Sequence, residues 1–186
     1  KMDINIWEVI DAAKSKPYGF QAFYPGPGIG GHCIPLDPFY LEYIAKGFNF
    51  DLTMIDAAGR INNLQPHHMM NKISYALNRQ RKPMNGSTIL FLGVAYKANI
   101  DDARESPALL VMQECAKKRA NVLYHDPYIP EVVDEHGKKW TSVALTDELL
   151  ESADCVVFTT AHSCFDVDHI VEKAKLVVDL KNMVKR

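Results

Sequence analysis

The sequence has no apolar run approaching the roughly 20 residues a bilayer-crossing helix requires, so no transmembrane span is expected. Nor has it an excess of one charge. The 21 Lys and Arg stand against 23 Asp and Glu, a formal net charge of −2, which gives no electrostatic reason to expect nucleic acid or an acidic membrane as partner. The four cysteines (Cys33, Cys115, Cys155 and Cys164) show no CxxC pair and no His/Cys spacing of the metal-site kind, which argues against a disulfide framework and a bound metal. Cys115 lies in a helical pattern and Cys155 opens an apolar strand, so both read as small buried hydrophobes. The first residues lack the apolar segment and cleavage site of a signal peptide. A reduced, cytoplasmic protein is the simplest expectation. Internal repeats and low-complexity tracts are missing too.

What is present has the texture of a globular chain long enough for one ordinary domain and a helical extension. Residues about 5 to 14 place Ile6, Val9, Ile10 and Ala13 on one helix face, and the stretch from Asp3 reads as a helix entered late, without a preceding strand or cap. The chain is therefore expected to begin partway through a larger protein. Pro17-Tyr18-Gly19 breaks the helix, and Pro25 to Gly31 forms a loop too glycine-rich for regular structure. Asp37-Pro38 predicts an N-cap and a first-turn proline for a helix through about Lys46. From about Leu52 to Arg79 apolar residues recur at three- and four-residue spacing, with a kink or short break expected near Leu64-Gln65 because of Pro66. Such a helix must bury its face, and a second copy of the chain is a plausible partner.

The charged, turn-rich run Arg79 to Gly86 is the expected boundary, dividing residues 1–82 from 83–186. Beyond it, strands at Thr88–Gly93, Asn121–His125, Cys155–Thr160 and Lys175–Asp179 alternate with helices at Pro107–Arg119, Thr146–Ser152 and Asp168–Ala174. That alternation predicts an α/β fold: a helical central region followed by a Rossmann-like, doubly wound parallel sheet.

Two segments hold residues suited to chemistry. In Gly26 to Asp37 (GPGIGGHCIPLD), glycines let backbone N–H groups approach a ligand, and Cys33 lies between them and a helix start. Such a setting favours the thiolate, the form that attacks carbonyls. The residues alone leave open a flexible turn with an inert thiol and Asp37 as a mere cap. His32 and Cys33 are adjacent in an extended loop, so their side chains are expected to point apart, without a dyad. The second segment, Gly93 to Pro107, leaves the C-terminal end of the first strand, where ligands of open parallel sheets bind. Lys97 and Arg104 suit a pyrophosphate and Tyr96 a sugar or base, although no GxGxxG follows this strand. His125-Asp126-Pro127-Tyr128 reads as a structural turn, and Lys181 as a phosphate contact or a solvated lysine. The His67-His68 pair has no suitably spaced partner.

Together, PGPGIGGHCIPLDPFYL (Pro25 to Leu41), GVAYKANIDDARESPAL (Gly93 to Leu109), HDPYIP (His125 to Pro130) and VVDLKN (Val177 to Asn182) resemble the UDP-glucose/GDP-mannose dehydrogenase family. Within it, the wording is most similar to members acting on UDP-N-acetylglucosamine. The resemblance implies an N-terminal NAD domain, a central helical dimerisation region and a C-terminal domain holding the UDP-sugar, the chain supplying part of the second and all of the third. It implies oxidation of sugar C6 from alcohol to carboxylate with two NAD, through a cysteine thiohemiacetal and thioester. By position, Cys33 is the nucleophile and Asp37 positions the hydrolytic water. Tyr24, Gly26, Gly28 and Gly30 wrap the substrate, which Tyr96, Lys97 and Lys181 contact, and Gly31 and Arg104 meet the cofactor. Implied partners are a UDP-sugar and a second copy through the central helix.

Two departures accompany it. The family's catalytic lysine and asparagine have no counterpart before Cys33, so residues 1–186 alone are expected not to turn over. Lys181 stands where relatives carry arginine, which keeps the charge but loses the bidentate fork. The competing expectation is a non-catalytic nucleotide-sugar-binding or dimerisation module. A cysteine hydrolase would need a base near Cys33.

Overall fold

The computed structural model describes residue 2 and residues 4–184. Asp3, where the first expected helical stretch begins, and Lys1, Lys185 and Arg186, which the expected domain bounds include, lie outside the described residues. Helix α1 (Ile6–Lys14) does have a cap, contrary to expectation: the Asn5 carboxamide oxygen accepts the Trp7 N–H at 3.1 Å. Of its apolar face only Ile10 is buried. Helix α2 (Asp37–Lys46) also departs from the prediction. Asp37 is its first residue rather than its cap, and Leu36 in the cap position makes no side-chain bond. The turn is wound by the Cys33 carbonyl, which accepts the N–H groups of Leu36 (3.0 Å) and Asp37 (2.8 Å).

Helix α3 (Thr53–Arg79) runs 27 residues unbroken through Pro66, so the expected short break is absent. A proline removes one N–H from the ladder, a loss that strong packing beyond it offsets. That packing is present: Pro66, Met69, Met70, Ile73 and Leu77 are all buried. The N-terminal half of α3 is different, with Met54, Ile61 and Leu64 more than half exposed.

The sheet contains β1 (Thr88–Leu92), β2 (Asn121–His125), β5 (Cys155–Phe158) and β6 (Val177–Asp179). All pairings are parallel, in the order β2-β1-β5-β6. Crossovers run through α4 (Pro107–Lys117), α5 (Asp147–Ser152) and α6 (Val167–Lys173), which matches the wound α/β expectation. Alternation along β1 divides the core. Ile89 and Phe91 join Ile73, Leu77, Met112 and Cys115 on the α3/α4 face. Leu90 and Leu92 join Leu150, Phe158 and Ile170 on the α5/α6 face. The C-terminal half of α3, although N-terminal to the charged run, is thus part of the sheet's core.

A short antiparallel hairpin was not predicted: β3 (Glu131–Val133) and β4 (Lys139–Thr141), between β2 and α5. Asp134 builds its turn by accepting the N–H groups of His136 and Lys138, and its second oxygen accepts the Trp140 indole N–H at 2.9 Å. Strand order reverses between β1 and β5, whose neighbours lie on opposite sides. Such switch points leave a crevice beyond the strands' carboxyl ends.

Candidate functional site

Gly93 to Ser106 leaves the carboxyl end of β1 at that switch point. The glycine loop before α2 lies directly on it. Gly31 donates its N–H to the Arg104 carbonyl at 3.1 Å, and the ring of Tyr96 covers the same glycine. At Gly30 a Cβ would lie 2.6 Å from the Glu105 carbonyl oxygen and 2.8 Å from Pro107 Cδ and Tyr96 Cβ. Backbone on one side and a ring on the other leave no room to yield. Gly30→Ala is therefore expected to lift the loop off Tyr96 and destabilise the chain by about 1–3 kcal/mol, read as a lower urea midpoint with an unchanged slope.

From the other side the loop is held by α3. Asn62 accepts the Ile29 N–H on its side-chain oxygen at 2.8 Å, and Gly28, at φ 138°, packs against Asn62 and Pro107. Asn62 is four residues before Pro66, so the proline gives its main-chain carbonyl no helical N–H.

Cys33 is exposed and, with Asp37, Ile34, Pro38, Leu41 and Ile55, lines a depression of about 380 Å³. Contrary to expectation, the adjacent side chains do meet, with His32 Nδ1 3.9 Å from Cys33 Sγ. The wound turn beginning at Cys33 replaces the extended backbone that would have turned them apart.

Tyr24 and Lys181 belong to a second depression of about 310 Å³, shared with Trp7, Asp11, Lys14 and Asn182. Tyr24 stacks on Trp7 at 5.3 Å between centroids, and its hydroxyl accepts from Lys14 at 3.0 Å. Lys181 is half-buried, and burial lowers its pKa. A Cβ at Gly26 would stand 3.3 Å from its ammonium nitrogen. Among the described residues no carboxylate forms an ion pair with it, so a buried-side cation is left facing the loop. Lys97 is exposed. Arg104 is exposed as well, and its guanidinium is engaged by Asp102 in a two-pronged contact at 2.6–3.0 Å.

The structure thus gathers Gly26, Gly28, Gly30, Gly31, Tyr96, Arg104 and Lys181 around one loop, with Cys33 and Asp37 at one flank and Tyr24 at the other. Sequence reasoning missed four residues that organise it: Trp7, Asn62, Asp126 and His162. Of these, Asp126 alone carried a signal, standing in the His125 to Pro130 turn at the carboxyl end of a strand. Asp126 and His162 have side chains with no exposed surface, and they hold the 93–106 loop from beneath. Among the described residues no cluster suits a metal ion. The glycine run 26–31 follows no strand, so it is not the first turn of a βαβ dinucleotide unit.

Comparison with known proteins gives two family matches: residues 90–186 to the UDP binding domain of the UDP-glucose/GDP-mannose dehydrogenase family, and residues 1–64 to its central domain. The chain is 30% identical over 187 residues to an NDP-N-acetyl-D-galactosaminuronic acid dehydrogenase of Ralstonia nicotianae, covering 98% of this chain and 41% of that protein. It is 31% identical over 194 residues to a UDP-N-acetyl-D-mannosamine dehydrogenase of Methanocaldococcus jannaschii, covering 100% and 42%. Among solved structures, the UDP-D-ManNAc dehydrogenase of Pyrococcus horikoshii superposes with a TM-score of 0.82 at 28% identity, covering 98% of this chain and 42% of that one. The NDP-N-acetyl-D-galactosaminuronic acid dehydrogenase of Methanosarcina mazei Go1 gives 0.84 at 29% identity, covering 99% and 41%. The chain spans about two fifths of the length of these relatives. Their names carry N-acetylmannosamine and N-acetylgalactosaminuronic acid, whereas the sequence wording had suggested N-acetylglucosamine.

Proposed function

Because this chain belongs to the UDP-glucose/GDP-mannose dehydrogenase family, we propose that it is the substrate-holding portion of an NAD-dependent dehydrogenase that oxidises C6 of a UDP-linked 2-acetamido hexose to the carboxylate. The observation that carries this reading is the packing of the cysteine loop on the loop at the sheet's switch point, through Gly30, Gly31, Tyr96 and Arg104. It supports the reading because Cys33, an exposed thiol, follows Gly31 by two residues, and nucleotides of such sheets lie beyond the strands' carboxyl ends.

In this reading Cys33 attacks the C6 aldehyde and holds it as a thiohemiacetal, and after the second oxidation as a thioester. Water then frees the acid and returns the thiol, with Asp37, one turn along, positioning that water. Tyr96, Lys97 and Lys181 hold the nucleotide sugar, Lys181 by the charge left unpaired beside Gly26, and Tyr24 with Gly26, Gly28 and Gly30 shapes the wall. NAD supplies the hydride acceptor. Residues 1–186 do not fit a complete dinucleotide site: Gly31 lies under Tyr96, Arg104 is held by Asp102, and no glycine fingerprint follows β1. The chain alone is therefore expected to bind UDP without turning over.

The exposed apolar residues of α2 and the first half of α3, among them Tyr40, Tyr43, Met54 and Ile61, support a dimer through this region. No helix among the described residues is long and apolar enough to cross a membrane. Cys115 and Cys155 remain buried free thiols, in keeping with a reducing, cytoplasmic setting.

The test is NADH formation by the intact protein with UDP-N-acetylglucosamine, UDP-N-acetylmannosamine, UDP-N-acetylgalactosamine and UDP-glucose. An acetamido sugar is expected to be preferred at two NADH per acid. UDP binding without NADH formation from any of the four would favour a non-catalytic nucleotide-sugar module instead.

A further inference from the structure

We propose that His162 is a positioning residue for the nucleotide-sugar loop: as a neutral imidazole protonated on Nε2, it locks Asn99 and so, with Asp126, clamps both ends of the segment that presents Tyr96 and Lys97. This rests on the reading of that loop as the nucleotide-sugar contact.

The loop leaves β1 at Gly93 and makes no regular structure before Pro107. Something other than a ladder must fix it, and the fixing groups come from the ends of the two neighbouring strands. From the β2 end, Asp126 Oδ2 accepts the N–H groups of Val94 (2.7 Å) and Ala95 (3.1 Å), which holds the near side. From beyond β5, His162 Nδ1 stands 2.9 Å from the Asn99 nitrogen, which holds the far side. Tyr96 and Lys97 lie between the two clamps.

These clamps are one unit, since His162 Nε2 is 3.1 Å from the same Asp126 Oδ2. The hydrogen-bond directions fix the protonation pattern. A main-chain N–H only donates, so Nδ1 must offer its lone pair to Asn99. A carboxylate oxygen only accepts, so Nε2 must carry the proton. An imidazolium would set a second proton against the Asn99 N–H and open the far clamp.

The neighbourhood is built around this ring. His162 has no exposed surface. It lies against the rings of Tyr128 at 5.0 Å and Phe165 at 5.4 Å. At Gly93, φ 88°, a Cβ would come within 3.1 Å of His162 Cδ2 and 2.4 Å of Thr160 Cβ, so only glycine lets the strand end pass the imidazole. Thr159 and Thr160 donate their hydroxyls to the carbonyls of Gly93 and Ala95. Asn99, at φ 62°, accepts the Ser163 N–H on its side-chain oxygen at 2.9 Å. The whole set joins β1, β2 and β5 at the reversal of strand order.

The experiment uses the 186-residue chain, with ¹⁵N-labelled histidine in NMR and with UDP titrated calorimetrically. In the unmodified chain the His162 Nδ1 resonance is expected at the unprotonated position and Nε2 at the protonated one. His162→Phe keeps a ring against Tyr128 and Phe165 but removes both nitrogens. It is expected to weaken UDP binding on the order of tenfold or more, because the Asn99 N–H and the buried Asp126 oxygen both lose a partner, and His162→Gln, which restores a donor and an acceptor, to recover part of that loss. A protonated Nδ1 in the unmodified chain overturns the proposal whether or not His162→Phe folds. So does a folded His162→Phe that binds UDP as tightly as the unmodified chain, or an equal loss in His162→Gln. No UDP binding by the unmodified chain would instead sink the reading of the loop, and the role of His162 with it.

Discussion

If the proposed function holds, Cys33→Ala in the intact protein is expected to lower release of the sugar acid by roughly 10³-fold or more while leaving the melting temperature within about a degree. The size follows from losing the covalent intermediate rather than a contact. The small structural effect follows from exposure, since substitutions away from packed features fall within about ±0.5 kcal/mol. No other thiol can take over. Cys115 and Cys155 are interior, and burial pushes both thiols up to about 12. Cys164 is exposed, but it follows β5 and does not line the depression that holds Cys33 and Asp37. The check is product analysis with NADH stoichiometry and a melting curve on the same protein. Acid release at the unmodified rate would remove the thiol from the chemistry, and a large fall in melting temperature would show it to be a packing residue.

The fold was legible where a period governed the structure. Two-residue alternation in the strands and three- or four-residue spacing in the helices mark elements that bury one face, and β1, β2, α4 and β5 lie within two residues of expectation at every end. The hairpin escaped because three-residue strands carry no readable alternation; its turn depends on Asp134 and its register on Trp140. Helix α3 misled in the other direction. Its apolar spacing is continuous, but only the half from Pro66 onward is buried against the sheet, and Met54 and Ile61 stay more than half exposed. Periodicity shows that a face needs covering, not what covers it.

The site was legible as two segments, not as one place. Glycine spacing marked the Cys33 loop, and the end of a parallel strand marked the Tyr96 loop. That Gly30 and Gly31 would lie against Tyr96 and Glu105 is a tertiary fact without a local signature. His162 is the sharper case. In Thr159 to Phe165 it has no motif, and its meaning arises only when strand reversal brings the ends of β1 and β2 to it. Asp126 was read as a turn residue, which it is, since Oδ1 accepts the N–H groups of Tyr128 and Ile129. Its other oxygen does the work that local sequence hides.

Asp126→Asn is expected to cost about 1–3 kcal/mol of stability, the penalty of leaving a buried donor without an acceptor, although it changes only one atom of the side chain. Five donors converge on the carboxylate: Val94, Ala95 and His162 on Oδ2, Tyr128 and Ile129 on Oδ1. An amide must turn its NH₂ toward one of these sets, placing donor against donor in the interior. Burial pushes the Asp126 carboxyl upward, but the bonds from His162 and the main-chain N–H groups outweigh it and hold the group below its ordinary value. The sign for pH follows. With the folded value depressed, the carboxylate's contribution is complete above the unfolded value, roughly 3.9, and is lost as pH falls through the folded one. Urea unfolding at neutral pH and at stepwise lower pH checks both statements. The unmodified chain should lose stability below about pH 4, whereas Asp126→Asn should start lower and lose less over the same range. Equal pH slopes in the two proteins would mean that the five donors do not distinguish the charged oxygen from a neutral one.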